Sequence, residues 1–362
     1  MLGGPSVPFL VLRVRRGPHL LRDTLLQINR AKDKADLRKP LKVQFVGEEG
    51  VDEGGVQKEF FQLLVRQAFN PEFGMFVYDE ARRLHWFRAS GLDMDMEFEL
   101  IGILIGLAIY NSHILEFQFP VVLYKKLMGG PLGLEDLAEL HPEVHRSLAK
   151  LLLMSSEEVD ALALTFEVES EVGFGEVKSV ELAPGGAAVA VTAANRGEYA
   201  HAYALHLLEG SVSRQFAAFR RGFLRLCSGD ALQLFRPCEL EQLVCGGRTL
   251  DLEALEAATR YEDGYAAGSP VIRWFWEIAH ALDEPGRKRL LSFITGTDRV
   301  PIRGLGALSP PFVITPNGGH SDRLPTAHTC FNHLLLPQYR DKETLKARLM
   351  LALENSEGFG LM

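Results

Sequence analysis

The sequence of 362 residues is poor in cysteine: it has four, and no two of them form a Cys-x-x-Cys pair. Such pairs mark the common zinc knuckles and dithiol redox sites, so neither kind of site is a first hypothesis. So few cysteines also favour a reducing compartment. A basic excess is absent too, since 39 Lys and Arg residues stand against 47 Asp and Glu residues. A dedicated nucleic-acid-binding protein shows the opposite balance, and we expect no nucleic-acid partner.

Long hydrophobic runs are scarce. The uncharged stretch at residues 100–115 is shorter than the roughly 20 residues that a membrane span needs, and it is predicted to be a buried helix. Near the start of the chain, the apolar residues 7–12 are followed rather than preceded by arginines, which is the wrong order for a signal peptide. We therefore expect no membrane association and a location in the cytoplasm, with the nucleus as a further option.

Nucleotide and metal motifs are also missing. The Gly- and acid-rich residues 47–55 lack the Gly-Lys-Ser/Thr ending of a phosphate-binding loop, and their carboxylates are not spaced as calcium ligands. The set of His320, His328, His333 and Cys330 matches no common zinc spacing. The expectation is that the protein uses no metal and no cofactor.

What is present is typical of a globular protein, with 47% hydrophobic and 24% charged residues. At roughly 100 to 200 residues per domain, the length predicts two domains or one large bilobed domain. Alternation of apolar and polar residues predicts a half-buried strand at residues 41–46. A helix is predicted at residues 58–69, and a hairpin at residues 75–78 and 84–87. The first 120 residues or so are therefore mixed α/β.

Glycines and apolar periodicity organise the middle of the chain. Gly102 and Gly106, four residues apart in the apolar helix, predict close packing against another element. From about residue 133 to residue 211, Leu-rich helical and Gly-rich β-like segments indicate a separate subdomain. A helix predicted at residues 211–226 carries apolar residues at spacings of three and four, and its arginines are best interpreted as a solvated face with ion pairs.

Two adjacent glycines, Gly246 and Gly247, stand between helical regions, which is the composition of a swivel. We place the boundary between two lobes there. The prediction is a larger, mostly helical lobe at residues 1–245 and a smaller α/β lobe at residues 249–362, joined by a flexible hinge at residues 246–248. In the second lobe, helices are predicted at residues 271–282 and from residue 341 to about residue 358, with a strand at residues 312–314.

His328 and Cys330 are two residues apart and lie on the same face if the chain is extended there. A nearby cation would lower the pKa of the thiol, and the thiolate is the reactive form. Taken alone the pattern is weak, because a cysteine in apolar surroundings is more often an inert core residue. We favour that second interpretation for the other three cysteines, Cys227, Cys238 and Cys245.

Taken together, the chain resembles the HECT domain of ubiquitin-protein ligases, and most of all its E6-associated-protein branch. The resemblance spans about residues 10 to 362. In the first lobe it rests on residues 50–56 (Gly-Val-Asp-Glu-Gly-Gly-Val), 58–61 (Lys-Glu-Phe-Phe), 100–102, 106–111, Phe216 and 219–223. In the second lobe it rests on residues 274–276 (Trp-Phe-Trp), 295–301 (Thr-Gly-Thr-Asp-Arg-Val-Pro) and 324–332.

The resemblance implies a transferase in which Cys330 accepts ubiquitin as a thioester from a charged ubiquitin-conjugating enzyme and passes it to a lysine of a protein substrate. It implies no cofactor at this step. His328, Thr329 and Arg299 are expected to support the cysteine, although a structural loop hydrogen bond explains His328 equally well. Phe359 is expected to act in the transfer to lysine, with docking of the chain end as the alternative.

The resemblance also implies that residues 133–211 offer an apolar groove to the conjugating enzyme. The matching positions are Val144, Leu148, Leu151, Met154, Leu164 and Tyr199. Core packing is the alternative for Leu148 and Leu151. Gly246, Gly247 and Arg248 match the hinge of the family. The rival hypothesis is a non-catalytic adaptor that binds a conjugating enzyme without forming the thioester; a thiol hydrolase would need a further His and an orienting partner that the sequence does not show.

Overall fold

The computed structural model describes residues 9–30, 37–48, 55–89, 93–115, 117–171, 176–228, 230–247, 249–319 and 322–356. Its buried apolar side chains form two clusters. The first runs from Leu12 to Cys245 and the second from Leu252 to Leu353. The predicted hinge at residues 246–248 falls between the two clusters, so each lobe has a core of its own.

The first lobe opens with two short strands that pair in parallel, β1 (Leu10–Val14) and β2 (Leu41–Phe45), with helix α1 (Leu20–Arg30) between them in the chain. Alternate side chains of both strands are buried, because the side chains of a strand point to opposite faces in turn. Helix α2 (Gly55–Ala68) follows, and then the hairpin of β3 (Phe76–Asp79) and β4 (Leu84–Phe87). The predicted strand, helix and hairpin are confirmed.

The centre of the first lobe is a close pair of helices, α3 (Asp95–Tyr110) and α9 (Ser213–Leu226). A Cβ atom added at Gly102 would lie 2.0 Å from the backbone oxygen of Phe219. Glycine is therefore required for the approach of the two backbones. The close packing predicted for Gly102 and Gly106 is confirmed, and the arginines of α9 carry exposed ion pairs such as Arg221–Glu99 at 2.7 Å. Helices α4 (Val121–Leu127) and α10 (Pro237–Cys245) complete this part of the lobe.

Residues 133–211 extend the same apolar cluster with short elements. They contain helices α5 (Leu137–Leu140), α6 (Pro142–Leu153), α7 (Ser156–Ala161) and α8 (Arg196–Leu208), and the antiparallel hairpin of β5 (Glu167–Glu171) and β6 (Val177–Glu181). A Ser155–Glu158 capping box begins α7, since each side chain bonds the backbone N–H of the other residue. Helices α6 and α8 pack on each other through buried residues such as Leu148 and Tyr199.

The second lobe packs helices against one four-stranded sheet. Its strands are β7 (Arg260–Tyr261), β8 (Val313–Pro316), β9 (Thr326–His328) and β10 (His333–Leu336). They lie in the order β7–β8–β10–β9, and β10 runs parallel to β8 and antiparallel to β9. The remaining elements are α11 (Leu252–Ala258), α12 (Pro270–His280), α13 (Glu284–Thr295) and α14 (Lys342–Ser356). The predicted α/β character is confirmed. Within the described ranges, no helix has the length and apolar character needed to cross a bilayer.

Candidate functional site

The segment that carries Cys330 is a tight turn at the end of a hairpin. Strands β9 and β10 pair antiparallel with His328 opposite His333, and the 3-10 turn Thr329–Phe331 connects them. Asn332 closes the turn in the left-handed conformation, with φ 48° and ψ 47°, which asparagine tolerates better than most residues. The backbone of Cys330 therefore lies in the middle of the turn, whereas its side chain falls outside what the structure describes.

Asn332 anchors this turn, and its side chain is buried, with 1% exposed. Its Nδ2 donates to the carbonyl of Pro310 at 2.6 Å, and its backbone carbonyl accepts from the N–H of Val313 at 3.0 Å. Its Oδ1 accepts from Lys58 Nζ at 2.8 Å, and the same Nζ donates to the carbonyl of Thr329 at 2.8 Å. Lys58 belongs to α2 in the first lobe, so the turn is bound by both lobes.

The two histidines beside the turn have different surroundings. His328 is exposed, and its ring centroid lies 6.0 Å from that of His333 on the neighbouring strand. His333 Nε2 lies 2.9 Å from Thr315 Oγ1. Burial lowers the pKa of His333, and the neighbouring His328 lowers it further. In the part of the chain that the structure describes, no three His, Cys, Asp or Glu residues are grouped as metal ligands.

Arg299 lies at the junction of the lobes. Its side chain is 7% exposed, and its Nη1 stands 3.7 Å from the carboxylate of Glu241, which belongs to α10 of the first lobe and is also buried. The Nε atom stands 3.9 Å from the carboxylate of Asp298. A buried arginine of this kind is strongly dependent on its carboxylate partners. Arg299 is thus positioned to support the arrangement of the lobes.

Gly246 and Gly247, the first two residues of the predicted hinge, contact Val300 of the second lobe. The N–H of Gly247 donates to the carbonyl of Val300 at 2.6 Å, and the N–H of Val300 donates back to Gly247 at 3.0 Å. Gly246 has φ 75°, and a Cβ atom there would lie 2.6 Å from the carbonyl of Val300. Only glycine fits this backbone without strain. Arg248, the third predicted hinge residue, lies outside the described residues, as does Phe359.

Two cavities lie where the lobes meet. The larger, of about 680 Å³, is lined by Arg83 and His85 from the first lobe and by Arg289 and Arg299 from the second. The smaller, of about 220 Å³, adjoins the Cys330 turn, and its lining includes Lys58, His113, Ile302 and Asn332. The turn therefore borders an open space that both lobes shape.

The six positions predicted for the groove fall into two sets. Leu148, Leu151 and Tyr199 are buried, with 3–4% exposed, and contribute to the core of residues 133–211. Val144, Met154 and Leu164 are partly buried and pack against that core. The first three would therefore shape the groove from below, and the others would contribute to its surface. The use of this region by a conjugating enzyme stays a prediction.

Sequence reasoning missed Leu153, the last residue of α6, although its side chain is 87% exposed. Leu162, which follows α7 in the chain, is 45% exposed. A helix advances about 100° per residue, so Leu153 cannot share the buried face of Leu148 and Leu151. The position of Leu153 in the sequence, two residues after Leu151, was therefore enough to predict that its side chain points away from the core. The high exposure of Leu153 makes it a candidate contact for a protein partner.

Comparisons with known proteins agree with these features. The model of the family described as "HECT-domain (ubiquitin-transferase)" matches residues 62–362. The chain is 44% identical over 370 residues to "Probable E3 ubiquitin-protein ligase HECTD2" of Homo sapiens, covering 98% of this chain and 47% of that protein. It is 44% identical over 355 residues to "Probable E3 ubiquitin-protein ligase HERC3" of Homo sapiens, covering 98% and 33%.

A fungal relative, "Probable E3 ubiquitin-protein ligase HUL4" of Eremothecium gossypii, is 41% identical over 368 residues, covering 97% of this chain and 43% of that protein. The chain thus spans less than half the length of these curated relatives. None of the three carries the name of the E6-associated protein, so the assignment to that branch stays a prediction.

Proposed function

The chain belongs to the HECT family of ubiquitin transferases, and from this premise we propose that it is a ubiquitin-protein ligase acting through a thioester on Cys330. In the first step, the Cys330 thiolate attacks the thioester carbonyl of ubiquitin on a conjugating enzyme. A new C–S bond forms, the old C–S bond breaks, and the cysteine of the conjugating enzyme leaves as a thiolate. No redox partner is needed.

In the second step, a neutral lysine amine of the substrate attacks the thioester on Cys330. A C–N bond forms, the C–S bond breaks, Cys330 leaves as a thiolate, and the amine loses a proton to the solvent or to a neighbouring base. Exchange of one thioester for another is nearly balanced in energy, whereas formation of the amide is favourable. The protein therefore contributes mainly by positioning the reacting groups.

The observation that carries the proposal is the position of Cys330 in the hairpin turn Thr329–Phe331. A cysteine that accepts a group as large as ubiquitin needs free space around it, and the flanking His328 and Phe331 are exposed, the latter by 54%. Two of the other cysteines are less suitable. Burial raises the pKa of the Cys227 thiol to about 11, which disfavours the thiolate. Cys245 is buried, with its Sγ 3.1 Å from the carbonyl of Phe117.

The supporting roles follow the same proposal. His328 and Thr329 flank the nucleophile, Arg299 holds the lobe junction next to it, and Phe359 near the end of the chain serves the transfer to lysine. Gly246, Gly247 and Arg248 act as the hinge that lets Cys330 reach both the conjugating enzyme and the substrate. Motion of this kind is common where one residue must serve two partners.

The partners in the proposal are ubiquitin, a conjugating enzyme and a protein substrate. The conjugating enzyme would bind at residues 133–211, on the surface formed by Val144, Met154 and Leu164 over the buried Leu148, Leu151 and Tyr199. The E6-associated-protein branch and a location in the cytoplasm or also the nucleus belong to the proposal as its finer parts, and both are supported by sequence features alone.

The test mixes the protein with ubiquitin-charged conjugating enzymes and follows the products on non-reducing gels. We expect a ubiquitin adduct that a reductant removes and that Cys330→Ala prevents. Cys238→Ala is the matched control, because Cys238 lies at the start of α10 and should leave the adduct unchanged. An adduct that persists in Cys330→Ala would refute the assignment of the nucleophile. Binding of a conjugating enzyme without any adduct, across a broad panel, would favour the adaptor.

A further inference from the structure

A lysine of the first lobe contacts the Cys330 turn directly. Lys58 lies in the first turn of α2, and its ammonium donates to the carbonyl of Thr329 and to Oδ1 of Asn332, both at 2.8 Å. These two acceptors stand on either side of Cys330 in sequence. The ammonium therefore bridges the two ends of the turn that carries the nucleophile.

The receiving groups are held in place from the second lobe. Asn332 is buried and bonded to Pro310 and Val313, so its Oδ1 has a fixed position. On the first lobe, the neighbouring Glu59 pairs with Arg16, so its carboxylate already has a cationic partner. Lys58 is half-buried between these fixed surroundings. Hydrogen bonds from a charged donor in such a setting are stronger than neutral ones.

We propose that Lys58 is a positioning residue for the second step, in which ubiquitin passes from Cys330 to a lysine. The inference rests on the proposed function and adds to it a residue of the first lobe. By binding Thr329 and Asn332, Lys58 fixes the turn in one orientation against α2. It also adds a positive charge to the surroundings of the turn.

The two steps differ in how they use this charge. In the second step Cys330 is the leaving group, so negative charge develops on its sulfur as the C–S bond breaks. A fixed cation stabilises that change. In the first step the Cys330 thiolate is the attacking group and loses its charge. A cation then increases the thiolate fraction but weakens the nucleophile, and the two effects largely offset each other. Only the second step therefore gains from Lys58.

The geometry gives a second reason for the same asymmetry. Loading requires Cys330 to meet a conjugating enzyme held at residues 133–211, whereas Lys58 ties the turn to α2. Release of this contact does not hinder the approach of the lobe to the conjugating enzyme. Interactions that are made only in one step change the rate of that step alone.

The experiment separates the two steps in single-turnover assays. Loading is measured by mixing the protein with a charged conjugating enzyme, and discharge by adding free lysine to the loaded protein after the conjugating enzyme has been quenched. Lys58→Met keeps most of the apolar stem but removes the charge and the donors. We expect loading within about two-fold of wild type and discharge slower by about ten-fold, in line with the loss of charged hydrogen bonds.

Two further variants make the result specific. Arg66→Met removes a positive charge from the same helix at an exposed position, and we expect wild-type loading and discharge. Lys58→Arg keeps the charge and the donors and should recover part of the discharge rate. Circular dichroism and the alkylation rate of Cys330 check that the variants are folded and that the turn is accessible.

Unchanged discharge in Lys58→Met would overturn the inference. An equal loss in both steps would overturn it as well, because it would indicate damage to the turn in general. Faster loading with normal discharge would instead show that the contact restrains the lobe. Failure of the proposed function would look different from all of these outcomes. In that case the wild-type protein itself would never form a reductant-sensitive adduct.

Discussion

The close contact between α3 and α9 predicts that an added methyl group there destabilises the protein. A Cβ atom at Gly222 would lie 1.9 Å from the backbone oxygen of Glu99 and 2.8 Å from its carbonyl carbon. On the opposite helix, a Cβ atom at Gly102 would lie 2.0 Å from the backbone oxygen of Phe219. The obstacles are backbone atoms of a helix, which cannot rotate away as a side chain can. Gly222→Ala therefore forces the helices apart.

The size of the effect follows from the required separation. A carbon and an oxygen do not approach closer than 3.0 Å in such contacts, so the backbones would have to separate by about 1 Å. A gap of that size loses a quarter to a half of each affected dispersion contact, and the interface includes the fully buried Phe219 and Phe223. Overpacking usually destabilises by about 1–3 kcal/mol. We expect the upper end, about 3 kcal/mol, even after the better helix propensity of alanine is counted.

The assay is urea unfolding followed by far-ultraviolet circular dichroism and by tryptophan fluorescence, because two lobes with separate cores need not unfold together. The matched control is Gly197→Ala in the first turn of α8, where a Cβ atom meets nothing within 4 Å. That variant should be neutral or up to about 1 kcal/mol more stable. If Gly222→Ala unfolds at the same urea concentration as wild type, the reasoning about the helix contact is wrong.

Two further predictions concern pH and binding. Burial lowers the pKa of His85 to about 4. Between about pH 6.5 and about pH 4 the imidazole is therefore protonated in the unfolded chain but neutral in the native protein. The free energy of unfolding should therefore fall by about 2 kcal/mol as the pH drops from about 6.5 to about 4, a value that allows for the partial exposure of the ring. In acid titrations followed by fluorescence, His85→Phe should show a smaller loss of stability over the same pH range. Leu153→Ser should leave the melting temperature unchanged, because the side chain is 87% exposed. It should weaken the binding of a conjugating enzyme about ten-fold in titration calorimetry. Unchanged affinity would exclude Leu153 from the surface that binds the conjugating enzyme.

The sequence predicted the elements whose pattern is local. The period of two at β2, and the four-residue spacing of Gly102 and Gly106, follow from the geometry of a single strand or helix, and the structure agrees with both. The binding groove was harder to predict from the sequence. Apolar spacing predicts a buried face but does not distinguish a core from the floor of a binding groove, and Leu148 and Leu151 are buried, so their part in a groove stays a prediction.

Contacts between distant parts of the chain were beyond sequence reasoning. Lys58 and Asn332 are 274 residues apart, and no local pattern connects a helix of one lobe with a turn of the other. Glu241 and Arg299 are joined in the same way across the hinge. Lys58 did belong to a motif on which the resemblance rested, but only the fold shows which residues it touches.

The contacts at the lobe junction bear on the predicted motion about the hinge. Among the described residues, the buried apolar side chains divide into one cluster per lobe, and the identified ties across the junction are polar: Gly247 with Val300, Arg299 with Glu241, and Lys58 with the Cys330 turn. Polar groups that separate can bond to water instead, so each tie contributes only about 1 kcal/mol net, or somewhat more when charged. A shared apolar core would lose far more on opening. Ties of this strength are compatible with the predicted motion of the second lobe, and two of the tied residues, Lys58 and Arg299, line the cavity beside the turn.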